Sequence, residues 1–163
     1  LSEEISSDAM IMMSDVDEIP DLTKINIKTL PKICSVHMLM FEYSFDYIFT
    51  GEPWFGTVIT NYEIFKHVGP NYMRDNRWKF PPLVYSGWHL SSFGSAKHVC
   101  NKMHTFAHAK DGHHESQTPE IFEKFIKEGL HTDGKTKLVK RTKDVPLPAS
   151  DEIIKRLFIN NTN

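Results

Sequence analysis

Cysteine is scarce in this chain: Cys34 and Cys100 are the only two among 163 residues. Two thiols cannot build a disulfide framework, and there is no Cys-x-x-Cys spacing for zinc or redox work. The sequence leaves open whether they pair across the fold or stay free and buried. No apolar run reaches the roughly 18 residues that a membrane-spanning helix needs. No segment reads as a secretory signal. A basic excess is missing too. Nineteen Lys and Arg stand against 21 Asp and Glu, and a net charge of -2 gives no global field to draw nucleic acid. The locally basic stretch from Lys135 to Lys143 reads as a solvated loop or an edge strand. Internal repeats and low-complexity blocks are absent. The first residue is Leu rather than Met, so the expectation is a processed start or a piece of something longer. One glycosylation sequon, Asn160-Asn161-Thr162, is a weak sign of secretion.

Aromatic residues are plentiful: eleven Phe, five Tyr and three Trp. With 40% hydrophobic and 25% charged residues, the composition is that of one globular domain with a real core. Ala9 to Met13 reads as a buried strand, cut short by the acidic run Asp15 to Glu18 and by Pro20. Asp21 is placed to cap a helix over Leu22 to Leu30, ended by Pro31. Ile33 to Phe49 reads as one long strand or two short ones, Gly51-Glu52-Pro53 as a turn, and Trp54 to Thr60 as the partner strand. Tyr62 to Val68 suits a short helix closed by Gly69-Pro70, and residues 70 to 82 a surface loop. A strand over Leu83 to His89 and a helix over Ala96 to Phe106 follow. Residues 109 to 117 read as a polar loop. Thr118-Pro119 opens a helix that stops at Gly129. A last helix is expected near Ser150 to Leu157. The pattern is mixed α and β, and acidic residues at the C-terminal end of a strand mark the usual place for a site in such a sheet.

Two segments carry chemistry. Asp15 and Asp17 are hard oxygen ligands that can hold Mg²⁺ or Mn²⁺ and leave coordination positions for phosphate. The cation then neutralises a departing diphosphate. In Ser86 to Gly94, Gly87 allows close backbone approach, Trp88 offers a flat face for a sugar or base, and His89 can bind metal or move protons. Lys102 can meet a phosphate. His104 and His108 share a helix face at i, i+4 spacing. A bare Asp-x-Asp or Gly-Trp-His is individually more often structural than functional.

Together these segments resemble glycosyltransferase family 17, the family of the β-1,4-mannosyl-glycoprotein 4-β-N-acetylglucosaminyltransferase. The resemblance rests on Ser14-Asp-Val-Asp-Glu-Ile-Pro20, on Phe41-Glu-Tyr-Ser-Phe45 with Trp54 and Gly56, on Gly87-Trp-His-Leu-Ser-Ser92, on Lys102-Met-His-Thr-Phe-Ala-His108 and on the helix end Ile126 to Gly129. It implies an α/β fold with a GT-A-like mixed sheet flanked by helices, as a single catalytic domain over 1–163 that lacks part of the N-terminal nucleotide-binding half. It implies inverting transfer of N-acetylglucosamine from UDP-GlcNAc to a sugar hydroxyl of a glycan, with Mn²⁺ or Mg²⁺. Asp15, Asp17 and His108 are then the expected metal ligands, with His89 the second candidate histidine. Asp15, Trp88, His89 and Lys102 line the donor site, with Lys102 on the diphosphate and Trp88 on the sugar. Glu18 is the first candidate for the general base, ahead of Glu42 and Asp46. The compartment follows the lineage: Golgi lumen for a eukaryotic type II member, cytoplasm for a microbial or viral one. Two other readings compete, a two-metal hydrolase or phosphodiesterase and a carbohydrate-binding module without turnover.

Overall fold

The computed structural model describes residues 5–105 and 117–154. Its centre is a mixed sheet. Strands β1 (Met10–Met13), β4 (Tyr47–Asn61), β3 (Ile33–Glu42), β6 (Gly87–Ser91) and β2 (Glu18–Pro20) lie in that spatial order. Two short strands pair off the main path, β5 (Pro82–Leu83) on β3 and β7 (Val139–Lys140) on β4. β3 runs parallel to β6 and β5, whereas the β1–β4, β3–β4, β2–β6 and β4–β7 pairs are antiparallel. Helices α1 (Tyr62–Asp75), α2 (Ala96–Thr105) and α3 (Pro119–Glu128) accompany the sheet, with a single turn α4 (Asp151–Ile154) late in the chain. The mixed α/β architecture read from the sequence is the one observed.

β3 supplies core to both faces. Cys34, Val36 and Met38 pack with Ile59 of β4, while Phe41 packs with Phe45, Ile48 and Trp88. A third cluster joins Tyr43 to Val99, Cys100 and Met103 of α2 and to Phe122 of α3. Burying each such large side chain contributes about 1.5–3 kcal/mol. Both cysteines are buried and free, so no cross-fold disulfide forms.

α3 follows its local signals: Pro119 opens it and Gly129, in the left-handed region at φ 63°, closes it. Thr118 occupies the cap position, but its side chain makes no capping bond. Four other expectations need correction. Gly51-Glu52-Pro53 is not a turn. The chain reverses at residues 43–46, and 51–53 form an irregular bulge inside β4, between the Met38–Trp54 and Met40–Phe49 pairs. The helix over Leu22 to Leu30 is reduced to a 3₁₀ turn, Ile27–Thr29. Asp21 instead accepts from its near neighbour Thr23, and while Ile25 and Leu30 pack on the core, Leu22 and Ile27 stay exposed, so too little apolar face is buried to sustain a helix. Residues 70–75 are helical rather than loop. Gly69 at φ 73° kinks α1, and Pro70 starts a second half. Last, Glu18 to Pro20 is a strand. β2 is at the sheet's edge, where a proline is tolerated.

Candidate active site

Residues Asp15 to Glu18 form a turn that leads into β2, closed by the Glu18 N–H on the Asp15 carbonyl at 3.2 Å. Val16 stands fully exposed at its tip, with a carboxylate on either side. The Leu90 N–H donates to the Asp17 carbonyl at 2.8 Å and ties the turn to β6. The two aspartates then meet different partners. Asp17 Oδ2 accepts from Lys102 Nζ at 2.9 Å and faces His89 Nε2 at 3.5 Å. The His89 hydrogen bond and then the Lys102 ammonium outweigh partial burial and hold the Asp17 carboxyl far below the usual range. Asp15 instead pairs with Arg74 Nη1 at 3.1 Å and Arg77 Nη1 at 3.1 Å.

Glu18 is enclosed. Oε1 accepts from the Trp54 indole at 2.9 Å and from Arg77 at 3.4 Å, while Oε2 accepts from the Thr57 hydroxyl at 3.3 Å and the Asp15 N–H at 3.2 Å. Its side chain is 1% exposed. Gly56 makes this possible: a Cβ there would lie 2.8 Å from the Glu18 carboxyl carbon and 2.7 Å from Met38 Sδ. Trp54 stacks on His89 with centroids 4.2 Å apart, and Arg77 Cζ lies 4.4 Å from the Trp54 ring centroid. The Arg77 guanidinium thus touches Asp15, Glu18 and Trp54 at once.

Asp15, Asp17, Glu18, His89 and Lys102 therefore gather at the β2–β6 edge and its turn. Trp88 does not join them. It is core, packed with Phe41 and Phe45, and its indole donates to the Pro146 carbonyl at 2.8 Å. Strand neighbours point to opposite faces, so a site-facing His89 sends Trp88 inward. Gly87 serves the protein rather than a ligand: a Cβ there would approach the Ile19 carbonyl oxygen of β2 to 2.8 Å. His108 lies outside the described residues, while His104 is on α2. Of the lesser candidates, Asp46 belongs to the β3–β4 turn, where its carboxylate meets Ser44. Glu42 ends β3 fully buried, and burial pushes its carboxyl up to about 8.

Trp54, Arg74 and Arg77 were not among the expected site residues. The spacing of the two arginines, three apart with Trp78 after them, is a signal that a helical reading of residues 70–78 exposes. Residues that could hold a metal are few. Among the described residues, no three His, Cys, Asp or Glu side chains converge as a metal cage. Asp17 and His89 do approach one another, and two protein ligands are what a cation shared with a diphosphate commonly uses. The charges also balance. Asp15, Asp17 and Glu18 face Arg74, Arg77 and Lys102, three carboxylates against three cations.

A comparison with protein families bears directly on this edge of the sheet, because the match spans it. It makes the chain a glycosyltransferase. Residues 1–131 match glycosyltransferase family 17, and the chain belongs to that family. Comparison with curated proteins and with solved structures finds no match.

Proposed function

We propose that the domain carries out metal-dependent, inverting transfer of N-acetylglucosamine from UDP-GlcNAc to a sugar hydroxyl of a glycan. The observation that supports this most is the Asp17 carboxylate held between Lys102 and His89, with two arginines on Asp15 alongside. Asp17 and His89, joined by His108 from outside the described residues, would hold Mn²⁺ or Mg²⁺, which when bound supplies Lewis-acid neutralisation of the diphosphate. Lys102, Arg74 and Arg77 supply the remaining positive charge, the arginines as planar forks suited to phosphate oxygens. Asp15 orients both guanidinium groups.

In the transfer the acceptor oxygen bonds to the anomeric carbon as the bond from that carbon to the diphosphate breaks. The electron pair stays on the departing diphosphate oxygen, whose charge this cationic cluster offsets, and the acceptor hydroxyl's proton passes to solvent water. Glu18 is a positioning residue in this scheme. A carboxylate that already accepts from four donors has no lone pair turned to an acceptor hydroxyl, and it fixes Trp54, Arg77 and the Asp15 turn instead. The two-metal hydrolase reading finds no gathering of ligands among the described residues.

Release of UDP from UDP-GlcNAc in the presence of a saccharide acceptor tests the proposal. Asp17→Asn and chelation with EDTA should each abolish release, and Lys102→Ala should slow it at least about tenfold, ~1.4 kcal/mol. Transfer that ignores both Asp17→Asn and EDTA would overturn it.

A further inference from the structure

A cleft of about 650 Å³ opens beside the acidic turn, bordered by Trp54, Trp78, Arg77, Ser91, His131 and Asp133. Its size is within the roughly 300–1,000 Å³ typical of small-molecule sites. Arg77 also lines a separate cavity of about 140 Å³ that contains Asp15, Glu18 and Arg74. The two spaces therefore share a guanidinium wall.

The walls suit a sugar better than a peptide or a nucleobase. Trp78 is 62% exposed although it is a large aromatic. Its indole N–H is committed to the Asp75 carbonyl at 3.2 Å, and Lys79 Nζ lies 4.7 Å from its ring centroid. The ring is thereby oriented without being covered. The same cleft is lined by a hydrogen-bonded polar loop. Asp133 accepts from the Lys135 N–H at 2.7 Å and the Thr136 N–H at 2.8 Å, and the Asp133 N–H donates to His131 Nδ1 at 3.3 Å. Burial lowers the His131 pKa against the pull of Asp133. With Nδ1 accepting from the Asp133 N–H, the proton is on Nε2, which is left to donate to a hydroxyl oxygen. Behind it, Glu42 Oε1 lies 3.9 Å from His131 Nε2. Glu42 is 0% exposed, with Thr132 and Ser91 as polar neighbours of its carboxyl.

We propose that this cleft is the acceptor site, taking a pyranose ring against Trp78 with its hydroxyls on His131, Asp133 and Ser91. The proposal rests on the transferase reading above for the word acceptor. The saccharide binding itself does not need metal or donor.

The chain carries its own control, since it has three tryptophans and Trp88 is buried in the core. Indole N–H signals of the ¹⁵N-labelled chain are followed while a β-1,4-linked N-acetylglucosamine disaccharide or a mannose disaccharide is added, with EDTA present. The Trp78 and Trp54 signals should move saturably and the Trp88 signal should not. Trp78→Ala should weaken binding about tenfold or more, and Trp78→Phe should restore part of it. Trp78 is exposed, so neither variant threatens the fold. If neither sugar moves the Trp78 signal, or if Trp78→Ala binds as the wild type does, the cleft is not the acceptor site. Adding UDP with Mg²⁺ to a second, EDTA-free sample separates the two readings. A response to saccharide without one to UDP defeats the donor reading alone, and the reverse defeats this one alone.

Discussion

Lys102 on α2 and Asp17 in the turn before β2 are 85 residues apart in sequence and 2.9 Å apart in space. With His89 and the Leu90 N–H, that contact joins the second half of the chain to the acidic motif. Asp17's folded pKa is depressed, so its contribution to stability is present above the unfolded value near 3.8 and is lost as pH falls below it. Lys102→Ala should therefore cost stability at neutral pH and cost nothing once Asp17 is protonated in both states. Because the pair is partly exposed, the loss should be about 0.5–1 kcal/mol. Urea denaturation at pH 7, pH 4 and pH 2.5 checks the sign: the loss should shrink below about pH 4, where the unfolded chain takes up a proton that the folded Asp17 still refuses.

Glu42 predicts the opposite slope. Its carboxyl is raised from 4.5 to about 8, because burial disfavours the charged form, with the Lys102 charge pulling back. The native state thus holds a proton that the unfolded chain has released. Stability from this group is complete below pH 4.5 and declines as pH rises towards 8, by a few kcal/mol in order of magnitude. Glu42→Gln should flatten that decline, which unfolding curves at about pH 5 and pH 8 would register.

Glu18 and its donors form the most tightly coupled part of the site. Glu18→Gln removes the charge that Arg77 and the Trp54 indole meet, and Trp54→Phe leaves Oε1 short of a donor. Each should destabilise the fold by about 1–3 kcal/mol. Gly56→Ala should do likewise by pushing the Glu18 carboxyl off β4. Thermal unfolding of the three variants is the check. A Glu18 whose role were proton transfer alone would lower turnover and leave the melting temperature unchanged.

The balance of three carboxylates and three cations bears on order of binding. A divalent cation alone would leave two positive charges uncompensated beside Lys102 and the arginines. Brought with a diphosphate, it would not. Mn²⁺ should therefore bind weakly alone and at least tenfold more tightly with UDP. The signal of free Mn²⁺ in electron paramagnetic resonance measures this directly.

Much of this architecture was legible because local signals and burial agreed. Thr118-Pro119 and Gly129 bracket α3 and Ile33 to Glu42 supplies a strand, whereas Met10 to Met13 is a strand at the sheet's edge with Met10 and Met12 exposed rather than buried. What escaped depends on contacts distant in sequence. Residues 51–53 carry turn chemistry, yet pairing of β4 on both sides of them absorbs them as a bulge. Leu22 to Leu30 has helical spacing, but its β-branched residues are weak helix formers, and the core meets only Ile25 and Leu30 while Leu22 and Ile27 stay exposed. In the site, Asp17, His89 and Lys102 were recognisable as residues and meet as a group. Trp88 was misplaced because strand alternation was not applied to its neighbour His89. Arg77 and Trp54 were missed because neither stands near the acidic motif in sequence.

Calorimetric titration of UDP with Mn²⁺ into the wild-type domain and into Asp17→Asn tests most directly whether Asp17 anchors a nucleotide diphosphate. The expected result is a saturable heat for the wild type and none for the variant. A silent wild type, or a variant that binds equally well, would contradict it.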